Sequence, residues 1–369
     1  MKKLLFCFGT RPEAIKMAPV ILEAKSQGFD VDVCLTGQHR EMIAPFLKFF
    51  QISENYTLNV MRENQSLNTL TSAILSEMDK VLADSNPDIV FVQGDTTSTF
   101  ACSLAAFHNR IPVAHIEAGL RTWNVNSPFP EEANRQMTSA YSTYNFAPTE
   151  ETKENLLKEG RKNIHVTGNT SIDALKITLE KLNTSSIKEE LNQKYNFLNN
   201  DRALILITSH RRENHGEPLV QICDALQTIA EQEDCEIVYP VHLNPNVKNI
   251  VEGKLKGIKN IHLLPPLEYK EFIWFMERAH IILTDSGGVQ EEGPHFKKPI
   301  LVLRENTERP EAVVSGATKL VGTNTKNIIK YVKSCLANKD FYESFSKNGN
   351  PYGDGTASKK ILKVIKENE

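Results

Sequence analysis

The chain has 369 residues, of which 40% are hydrophobic and 24% are charged, an ordinary composition for a globular protein. This length exceeds what a single hydrophobic core usually fills, so we expect two domains. The 43 basic and 46 acidic residues give a net charge of −3, which provides no overall basic field for nucleic acid or an anionic membrane. Any anionic ligand must therefore be bound by a local cluster of residues.

Short apolar segments alternate with helical patterns along the whole chain. In chain order the predicted strands are KLLFCFG, DVDVCLTG, IVFVQGD, PVAHIEA, YNFAPT, NIHVTG, ALILITSH, CEIVYPVH, IHLLPP, HIILTDS and PILVLR. Such strands, alternating with helices, are typical of parallel sheets covered on both faces. The polar segment from Ala174 to Asn200 is the best boundary candidate. We therefore predict an α/β fold of two Rossmann-like domains facing a cleft, with ligands beyond the carboxyl ends of the strands.

The apolar start and the cysteines both indicate the compartment. The first apolar run, LLFCFG, is too short for a secretory signal, and no later run is long enough to span a bilayer. The six cysteines lie mostly inside apolar runs and show no C-x-x-C spacing. This pattern is typical of buried thiols in a reducing compartment rather than of disulfides or zinc ligands. The sequence predicts a cytoplasmic protein.

Charged residues follow the predicted strands of the first half. Arg11 follows the first strand and opens a helix that also carries Lys16, an arrangement suited to phosphate, although a tight turn with solvated charges is the alternative. Asp95 follows the third strand, where it could also cap the next helix. Glu117 ends the fourth strand inside an apolar segment, where a carboxylate needs a partner or a catalytic role. Glu131 opens a later helix, a position that favours acids for purely structural reasons.

The second half repeats this pattern with basic residues. His210 and two arginines follow the strand ALILITSH, and His242 follows the next strand. His210 and His215 are five residues apart, which is not the spacing of zinc ligands on one helical face, so a metal site is not predicted. Arg309 follows the strand PILVLR, and the sequence contains no G-x-G-x-x-G, Walker loop or nucleophile elbow.

The segment TDSGGVQEEGPHF combines two glycines with two glutamates directly after a predicted strand. Gly287 and Gly288 allow close approach to the backbone at a helix N-terminus, which suits phosphate groups. Glu291 or Glu292 could accept hydrogen bonds from ribose hydroxyls. A nucleotide sugar fits both halves of the segment; a glycine turn into a short amphipathic helix with exposed acids is the alternative.

Ten motifs in register resemble one enzyme family. They lie, in this order, between residues 9 and 312: GTRPEAIKMAP, TGQHREM, QGDTTST, HIEAGLR, FPEEANRQ, VTGNTSIDAL, TSHRREN, PVHLNP, TDSGGVQEE and RENTERPEA. Together they resemble the non-hydrolysing UDP-N-acetylglucosamine (UDP-GlcNAc) 2-epimerases of bacteria and archaea. The resemblance implies the glycosyltransferase-B architecture, with a first domain over residues 1–168 joined by a C-terminal helix at about 352–369. A second, UDP-binding domain would span residues 169–351.

The resemblance also implies the reaction. Family members interconvert UDP-GlcNAc and UDP-N-acetylmannosamine (UDP-ManNAc) without nicotinamide or metal, usually as homodimers, and supply ManNAc for surface polysaccharides. The route is elimination of UDP to 2-acetamidoglucal, followed by re-addition with protonation on the other face of C2. The resemblance implies no nucleic-acid or membrane partner.

The resemblance assigns roles to residues of this chain that match the family motifs. The residues implied in catalysis are Asp95, Glu117, Glu131, Lys16 and His210, with Glu117 expected to be the main base. The residues implied in UDP binding are Arg11, His210, Ser286, Gly287, Gly288, Glu292 and Arg309. A second, activating UDP-GlcNAc site would use Gln38, Glu131 and His242.

Other functions remain open from the sequence alone. A hydrolysing UDP-GlcNAc 2-epimerase, which releases free ManNAc, shares the fold and nucleotide site, as does an epimerase acting on a diacetamido uronic acid nucleotide. In both, the first motif tends to depart from GTRPEAIKMAP. A retaining glycosyltransferase or a UDP-sugar sensor would keep the glycines and Glu292 but would not need three carboxylates in the first domain.

Overall fold

The computed structural model describes residues 1–37, 40–62, 64–199, 201–347 and 349–367. Its contacts divide the chain into two compact units: Met1–Ala174 together with Tyr352–Glu369, and Leu175–Pro351. Within the described ranges, no helix combines the length and the apolar character that crossing a membrane requires. All six cysteines are buried free thiols.

The first unit is built on a parallel sheet. In the described part of this unit the sheet has seven strands in the order β3-β2-β1-β4-β5-β6-β7. The strands are β1 Lys3–Phe8, β2 Asp30–Leu35, β3 Tyr56–Thr57, β4 Ile89–Gln93, β5 Val113–Ile116, β6 Tyr144–Ala147 and β7 Ile164–Val166. The helices are α1 Arg11–Ser26, α2 Arg40–Phe50, α3 Leu67–Ser85, α4 Thr97–His108, α5 Glu131–Tyr141, α6 Glu150–Lys158 and the start of α7 Thr170–Leu182.

The second unit has a parallel sheet of its own. Its described strands number six, in the order β10-β9-β8-β11-β12-β13. They are β8 Ala203–Thr208, β9 Cys235–Pro240, β10 Ile261–Leu264, β11 Ile281–Thr284, β12 Ile300–Val302 and β13 Lys319–Leu320. The helices are α8 Ser185–Lys194, α9 Glu217–Gln232, α10 Pro245–Leu255, α11 Tyr269–Arg278, α12 Gly287–Glu292, α13 Pro310–Val314, α14 Thr325–Ala337 and α15 Lys339–Ser344.

The last helix, α16, spans Ala357–Glu367 and belongs to the first unit. Asp173 of α7 caps its N-terminus: Oδ1 accepts hydrogen bonds from the Ser358 amide at 2.8 Å and the Ser358 hydroxyl at 2.7 Å. A carboxylate at this position satisfies amides that have no partner inside the helix.

The prediction of two parallel α/β sheets is confirmed. Each of the eleven predicted strands forms, and the structure adds β3 and β13. These two strands have two residues each and lie at the outer edges of the sheets. A strand of this length leaves no alternation or apolar run in the sequence, so only its pairing with a neighbour reveals it.

The strand register brings the predicted site positions together within each unit. In the first unit, β4 pairs with β5 so that Gln93 lies opposite Ile116. In the second unit, β8 pairs with β11 so that Thr208 lies opposite Thr284. Because all these strands are parallel, the residues that follow them emerge at the same edge of each sheet.

Candidate active site

Lys16 and Glu117 form an ion pair at the carboxyl edge of the first sheet. The Lys16 ammonium lies 2.7 Å from each oxygen of the Glu117 carboxylate. The Gln93 side-chain amide, at the end of β4, donates a further hydrogen bond to Glu117. The Lys16 and Glu117 side chains are 13% and 12% exposed, so the pair is largely shielded but still reachable. The structure thus joins two of the predicted catalytic residues.

The backbone at Glu117 has an uncommon conformation. Its φ is +62°, in the left-handed region that non-glycine residues rarely adopt. This turn directly follows β5 and directs the carboxylate toward α1 and the end of β4. Strained backbone of this kind persists where surrounding contacts fix it, and it is concentrated at functional sites.

Asp95, the second predicted carboxylate, is held by Arg135 of α5. Its Oδ2 lies 2.8 Å from Nε and 2.7 Å from Nη2 of Arg135, and the Asn134 amide donates to the Asp95 carbonyl at 2.9 Å. His115 of β5 contacts the preceding residue, with Nε2 at 2.8 Å from the Gly94 carbonyl. Burial lowers the pKa of His115 to about 4, so the imidazole is neutral near neutral pH. The peptide that carries Asp95 is therefore fixed on both sides.

Glu131 and Glu132 are neighbours in the sequence with different surroundings. Glu132 is fully buried and accepts hydrogen bonds from the Thr122 and Trp123 amides, at 2.9 and 3.2 Å, and from Arg135 at 3.2 Å. Burial alone would raise the pKa of Glu132, but these hydrogen bonds outweigh it and hold the pKa below its ordinary value. Glu131 opens α5 half-buried, and its carboxylate makes no hydrogen bond or ion pair with another described residue.

Arg11 is the first residue of α1, and Glu13 fixes the turn in front of it. Glu13 is 2% exposed, and its Oε2 accepts from the Gly9 and Thr10 amides at 3.0 and 2.8 Å. Its Oε1 accepts from the Thr96 hydroxyl at 2.7 Å, just after Asp95. Burial raises the pKa of Glu13. Glu13 thus connects the N-terminus of α1 to the end of β4.

In the second unit, His210 lies against a buried aspartate. Nδ1 of His210 is 3.5 Å from Oδ1 of Asp285, whose side chain is fully buried, while the His210 side chain is 41% exposed. Burial lowers the pKa of His210, and the nearby Asp285 charge counteracts this only in part. The lowered pKa favours the neutral imidazole near neutral pH.

Of the three residues implied in a second UDP-GlcNAc site, one lies in each unit and the third lies outside the described residues. The His242 ring stacks on the His210 ring with centroids 5.6 Å apart, and its Nδ1 accepts from the Asn244 amide at 3.1 Å. Glu131 lies in the first unit, and Gln38 lies outside the described residues.

The glycine turn occupies the N-terminus of α12. Ser286 is the cap residue, and its hydroxyl makes no hydrogen bond with another described side chain or backbone group. Gly287 and Gly288 have helical backbone conformations. A Cβ atom on Gly287 would lie 3.5 Å from Arg211 Nη2, and one on Gly288 would lie 3.9 Å from the Ser286 hydroxyl, both ordinary contacts. The protein's own packing therefore does not require glycine at either position.

The two glutamates of α12 have separate partners. Glu291 is 1% exposed and pairs with Arg309, with Oε1 at 2.5 Å from Nε. Glu292 accepts a hydrogen bond from the Tyr269 hydroxyl at 2.9 Å. Arg309, expected to bind diphosphate, is thus also the ion-pair partner of a buried carboxylate.

Sequence reasoning missed the residues that hold the predicted ones. Arg135 and Glu132 are three residues apart in FPEEANRQ, an i,i+3 acid–base spacing that could have indicated their pairing. Asp285 precedes the glycine turn in TDSGG, at the end of a strand that pairs with the strand before His210. Only the sheet order brings Asp285 and His210 together, so the local sequence carries no signal for that contact.

Comparison with known proteins identifies the family. A family model described as UDP-N-acetylglucosamine 2-epimerase matches residues 22–366. A UDP-N-acetylglucosamine 2-epimerase of Salmonella borreze is 53% identical over 369 residues, covering 98% of this chain and 97% of that protein. The crystal structure of UDP-GlcNAc 2-epimerase from Neisseria meningitidis bound to UDP-GlcNAc has a TM-score of 0.92 and 50% identity, covering 99% of this chain and 100% of that one. The Methanocaldococcus jannaschii UDP-GlcNAc 2-epimerase in complex with UDP-GlcNAc and UDP has a TM-score of 0.82 and 36% identity, covering 99% of each chain. The chain therefore belongs to the UDP-N-acetylglucosamine 2-epimerase family, whose members are isomerases.

Proposed function

We propose that this chain interconverts UDP-GlcNAc and UDP-ManNAc by eliminating and re-adding UDP. A carboxylate removes the proton on C2, the C–H electron pair forms the C1–C2 double bond, and the C1–O bond breaks to release UDP within the site. UDP oxygen then adds back to C1, and a proton is delivered to the other face of C2. The reaction consumes no water, so it does not release free ManNAc.

The proton-transfer role rests on the carboxylates of the first unit. The observation that carries the proposal is Glu117, held by Lys16 and Gln93 in a strained turn beside the end of β4. Lys16 and Gln93 hold this carboxylate in one orientation, and a general base must be positioned in this way. Asp95, held by Arg135, is the second carboxylate at this edge. Glu131 is the third, and it is not tied to a cation among the described residues.

The UDP-binding role rests on residues of the second unit around α12, together with Arg11. His210, Arg309 and the amides of Gly287 and Gly288 supply the positive charge and N–H groups that a departing diphosphate requires. Glu292 is proposed to accept hydrogen bonds from the ribose. Relatives crystallised with UDP-GlcNAc and UDP support these molecules as the ligands of this chain.

Incubation with UDP-GlcNAc in D2O, followed by proton NMR, tests the proposal. We expect UDP-ManNAc that carries deuterium at C2, deuterium at C2 of the recovered UDP-GlcNAc, and slow leakage of UDP and 2-acetamidoglucal. Epimerisation without deuterium at C2 would rule out the mechanism. Free ManNAc as the main product would instead identify the hydrolysing activity.

The Glu117→Gln variant locates the base. We expect C2 exchange to slow roughly 10²- to 10⁴-fold, with UDP affinity nearly unchanged. Glu252→Gln, which changes a half-exposed glutamate on α10, is the matched control and should exchange at the wild-type rate. Normal exchange in the Glu117 variant would move the base to Asp95 or Glu131.

We further propose that the chain works as a homodimer and supplies ManNAc for surface polysaccharides. An apolar patch supports the dimer: Phe107 of α4 is 51% exposed, Met137 of α5 is 40% exposed, and Phe107 stacks on Tyr141 at 5.3 Å. Light scattering of the wild type and of the double variant Phe107→Glu, Met137→Glu tests the assembly. A monomeric wild type would contradict it.

A further inference from the structure

Asp285 is a buried carboxylate whose two oxygens have different surroundings. Oδ2 accepts hydrogen bonds from the Ser209 hydroxyl at 3.0 Å, the His210 amide at 2.8 Å and the Arg211 amide at 2.9 Å. The Asn214 side-chain amide donates to the same oxygen at 3.0 Å. Oδ1 is buried and makes no hydrogen bond with the described residues, and His210 Nδ1 lies 3.5 Å from it. One oxygen therefore fixes the turn after β8, and the other is directed at the imidazole.

The surroundings of His210 leave its other ring nitrogen as the one available to a ligand. Nδ1 lies 3.5 Å from Oδ1 of Asp285, which follows β11, and one ring face is covered by His242, which follows β9. Arg211 and His215 of its own segment oppose protonation of His210, as His242 does. The side chain is 41% exposed, and we take Nε2, the ring nitrogen that is not next to Asp285, as the one that binds the diphosphate.

We propose that Asp285 is a positioning residue that sets the tautomer of His210 and makes its binding of diphosphate depend on uptake of a proton. This inference rests on the proposed function, because it takes the UDP diphosphate as the anion at His210. Asp285 does not touch the substrate and acts only through the imidazole.

The neighbouring carboxylate determines which nitrogen of neutral His210 carries the hydrogen. A carboxylate only accepts hydrogen bonds, so the imidazole nitrogen that faces it carries the hydrogen. Neutral His210 then has N–H at Nδ1 and a bare lone pair at Nε2, which repels a phosphate oxygen. To donate from Nε2, His210 must take up a proton, and the imidazolium ion then stabilises the charge that develops as UDP leaves.

The Asp285→Asn variant should remove the dependence of UDP binding on proton uptake. The asparagine oxygen should take the place of Oδ2, because four donors already point there, so the NH2 group faces His210 Nδ1. Nδ1 then accepts a hydrogen bond, and neutral His210 carries its hydrogen on Nε2, from which it can donate to phosphate. Binding of UDP should no longer require a proton, whereas turnover should fall because the donor is now uncharged.

Titration calorimetry with UDP at pH 7.5, in two buffers of different ionisation enthalpy, measures the proton uptake. Relative to Asp285→Asn, the wild type should take up close to one additional proton per UDP. From pH 6.5 to 8.5, the ratio of the wild-type to the variant dissociation constant should rise by up to roughly tenfold per pH unit. Taking this ratio removes the titration of UDP itself. In the variant, kcat should fall, while KM should depend less on pH between 6.5 and 8.5 than it does in the wild type.

Ser209→Ala is the matched control, because it removes one hydrogen bond to Asp285 and leaves the carboxylate charge in place. It should keep the wild-type proton uptake. Loss of uptake in Ser209→Ala would assign the effect to the turn structure and overturn the proposal. Equal uptake in the wild type and Asp285→Asn would overturn it as well.

Nitrogen NMR of wild-type protein with labelled histidine keeps the proposal testable if Asp285→Asn does not fold. We expect neutral His210 to be protonated at Nδ1 at high pH, and an Nε2-protonated neutral ring would contradict the proposal. A wild-type protein that does not bind UDP would instead refute the proposed function, so the two failures are distinguishable.

Discussion

Glu131 and Glu132 are adjacent at the first turn of α5, yet their side chains have different surroundings. Glu132 is fully buried and holds two backbone amides and Arg135, whereas the half-buried Glu131 carboxylate has no described partner. A fully bonded buried carboxylate stabilises the fold, while a carboxylate without a cation can change its charge during a reaction.

We expect Glu131→Gln to reduce turnover and Glu132→Gln to reduce stability. Glu131→Gln should leave stability within about 0.5 kcal/mol of wild type and reduce kcat roughly 10²- to 10⁴-fold. Glu132→Gln should cost roughly 1–3 kcal/mol of unfolding free energy, because the NH2 group that replaces one oxygen cannot accept a hydrogen bond from the buried donors that face it. Urea unfolding and NMR assays of both variants measure this. Equal loss of stability in the two variants would contradict the assignment.

The pH dependence of the Glu132 effect provides a second check. The folded pKa of Glu132 is held below its ordinary value, so its contribution to stability is present at neutral pH and is lost as the pH falls through the folded pKa. The difference in unfolding free energy between wild type and Glu132→Gln should therefore be largest near pH 7 and shrink below about pH 4. A difference in unfolding free energy that increases toward acid pH would contradict this prediction.

Arg309 has a structural partner in addition to its proposed role with the diphosphate. Arg309→Ala removes the ion pair of the buried Glu291 carboxylate and should lower stability by roughly 3–5 kcal/mol. The double variant Arg309→Ala, Glu291→Gln should recover much of that stability without recovering UDP affinity or turnover. If the double variant restores turnover, Arg309 supports the fold only and does not bind UDP.

How much could be predicted at the residue scale depends on whether the relevant contact is local. The sequence indicates Asp95, Glu117 and His210 as candidates because each lies within two residues of a strand end, and the family resemblance implies their catalytic roles. The partners Arg135 and Asp285 were not indicated, because their contacts depend on which elements pack together. Such contacts are a property of the tertiary structure.

At the scale of elements, α12 is a short helix that begins with two glycines although its packing tolerates larger residues. A Cβ atom on Gly287 would make only an ordinary contact with Arg211, and its φ is not in the left-handed region. Glycine inside a helix destabilises it relative to alanine. The absent side chain is therefore better explained by a ligand that approaches the backbone than by the fold.

We expect Gly287→Ala to separate stability from binding. The variant should be as stable as wild type or more stable by up to roughly 1 kcal/mol, yet it should lose UDP affinity because the methyl group would occupy the proposed phosphate position. Gly253→Ala in α10 is the matched control, since its Cβ would meet nothing within 4 Å and it lies on another helix. Gly253→Ala should gain similar stability with unchanged UDP affinity. Unchanged UDP affinity in Gly287→Ala would remove α12 from the site.

Strands can be identified from the sequence where their apolar runs are long enough, and not where they have only two residues. The eleven longer strands have apolar runs that identify them, whereas β3 and β13 are two-residue edge strands. The polar composition of the segment from Ala174 to Asn200 favours a boundary between domains. In the structure, most of this segment is helical and belongs to α7 and α8. Polar, Asn- and Lys-rich composition suits exposed helices as well as linkers, and composition alone does not distinguish them.

At the scale of the whole molecule, each unit has a hydrophobic core of its own. One buried cluster joins β1, β4 and β5 to α3 and α4, and another joins β8, β9 and β11 to α9, α10 and α14. A chain with two separate cores need not unfold in a single two-state transition. Most of the proposed UDP residues, including His210, Ser286 and Arg309, belong to the second unit.

UDP should therefore stabilise the second unit more than the first. At a free concentration of 100 times its dissociation constant, UDP should add about 2.7 kcal/mol to the unfolding of whichever unit binds it. Hydrogen exchange should slow most at residues 208–215 and 285–292, where backbone amides lie at the proposed diphosphate position. Gly287→Ala is the control, because a folded protein that no longer binds UDP should show no protection at the same concentration. Protection confined to the first-unit strands β4 and β5 would mean that UDP binds at the carboxylates, and the roles proposed for the two units would have to be exchanged.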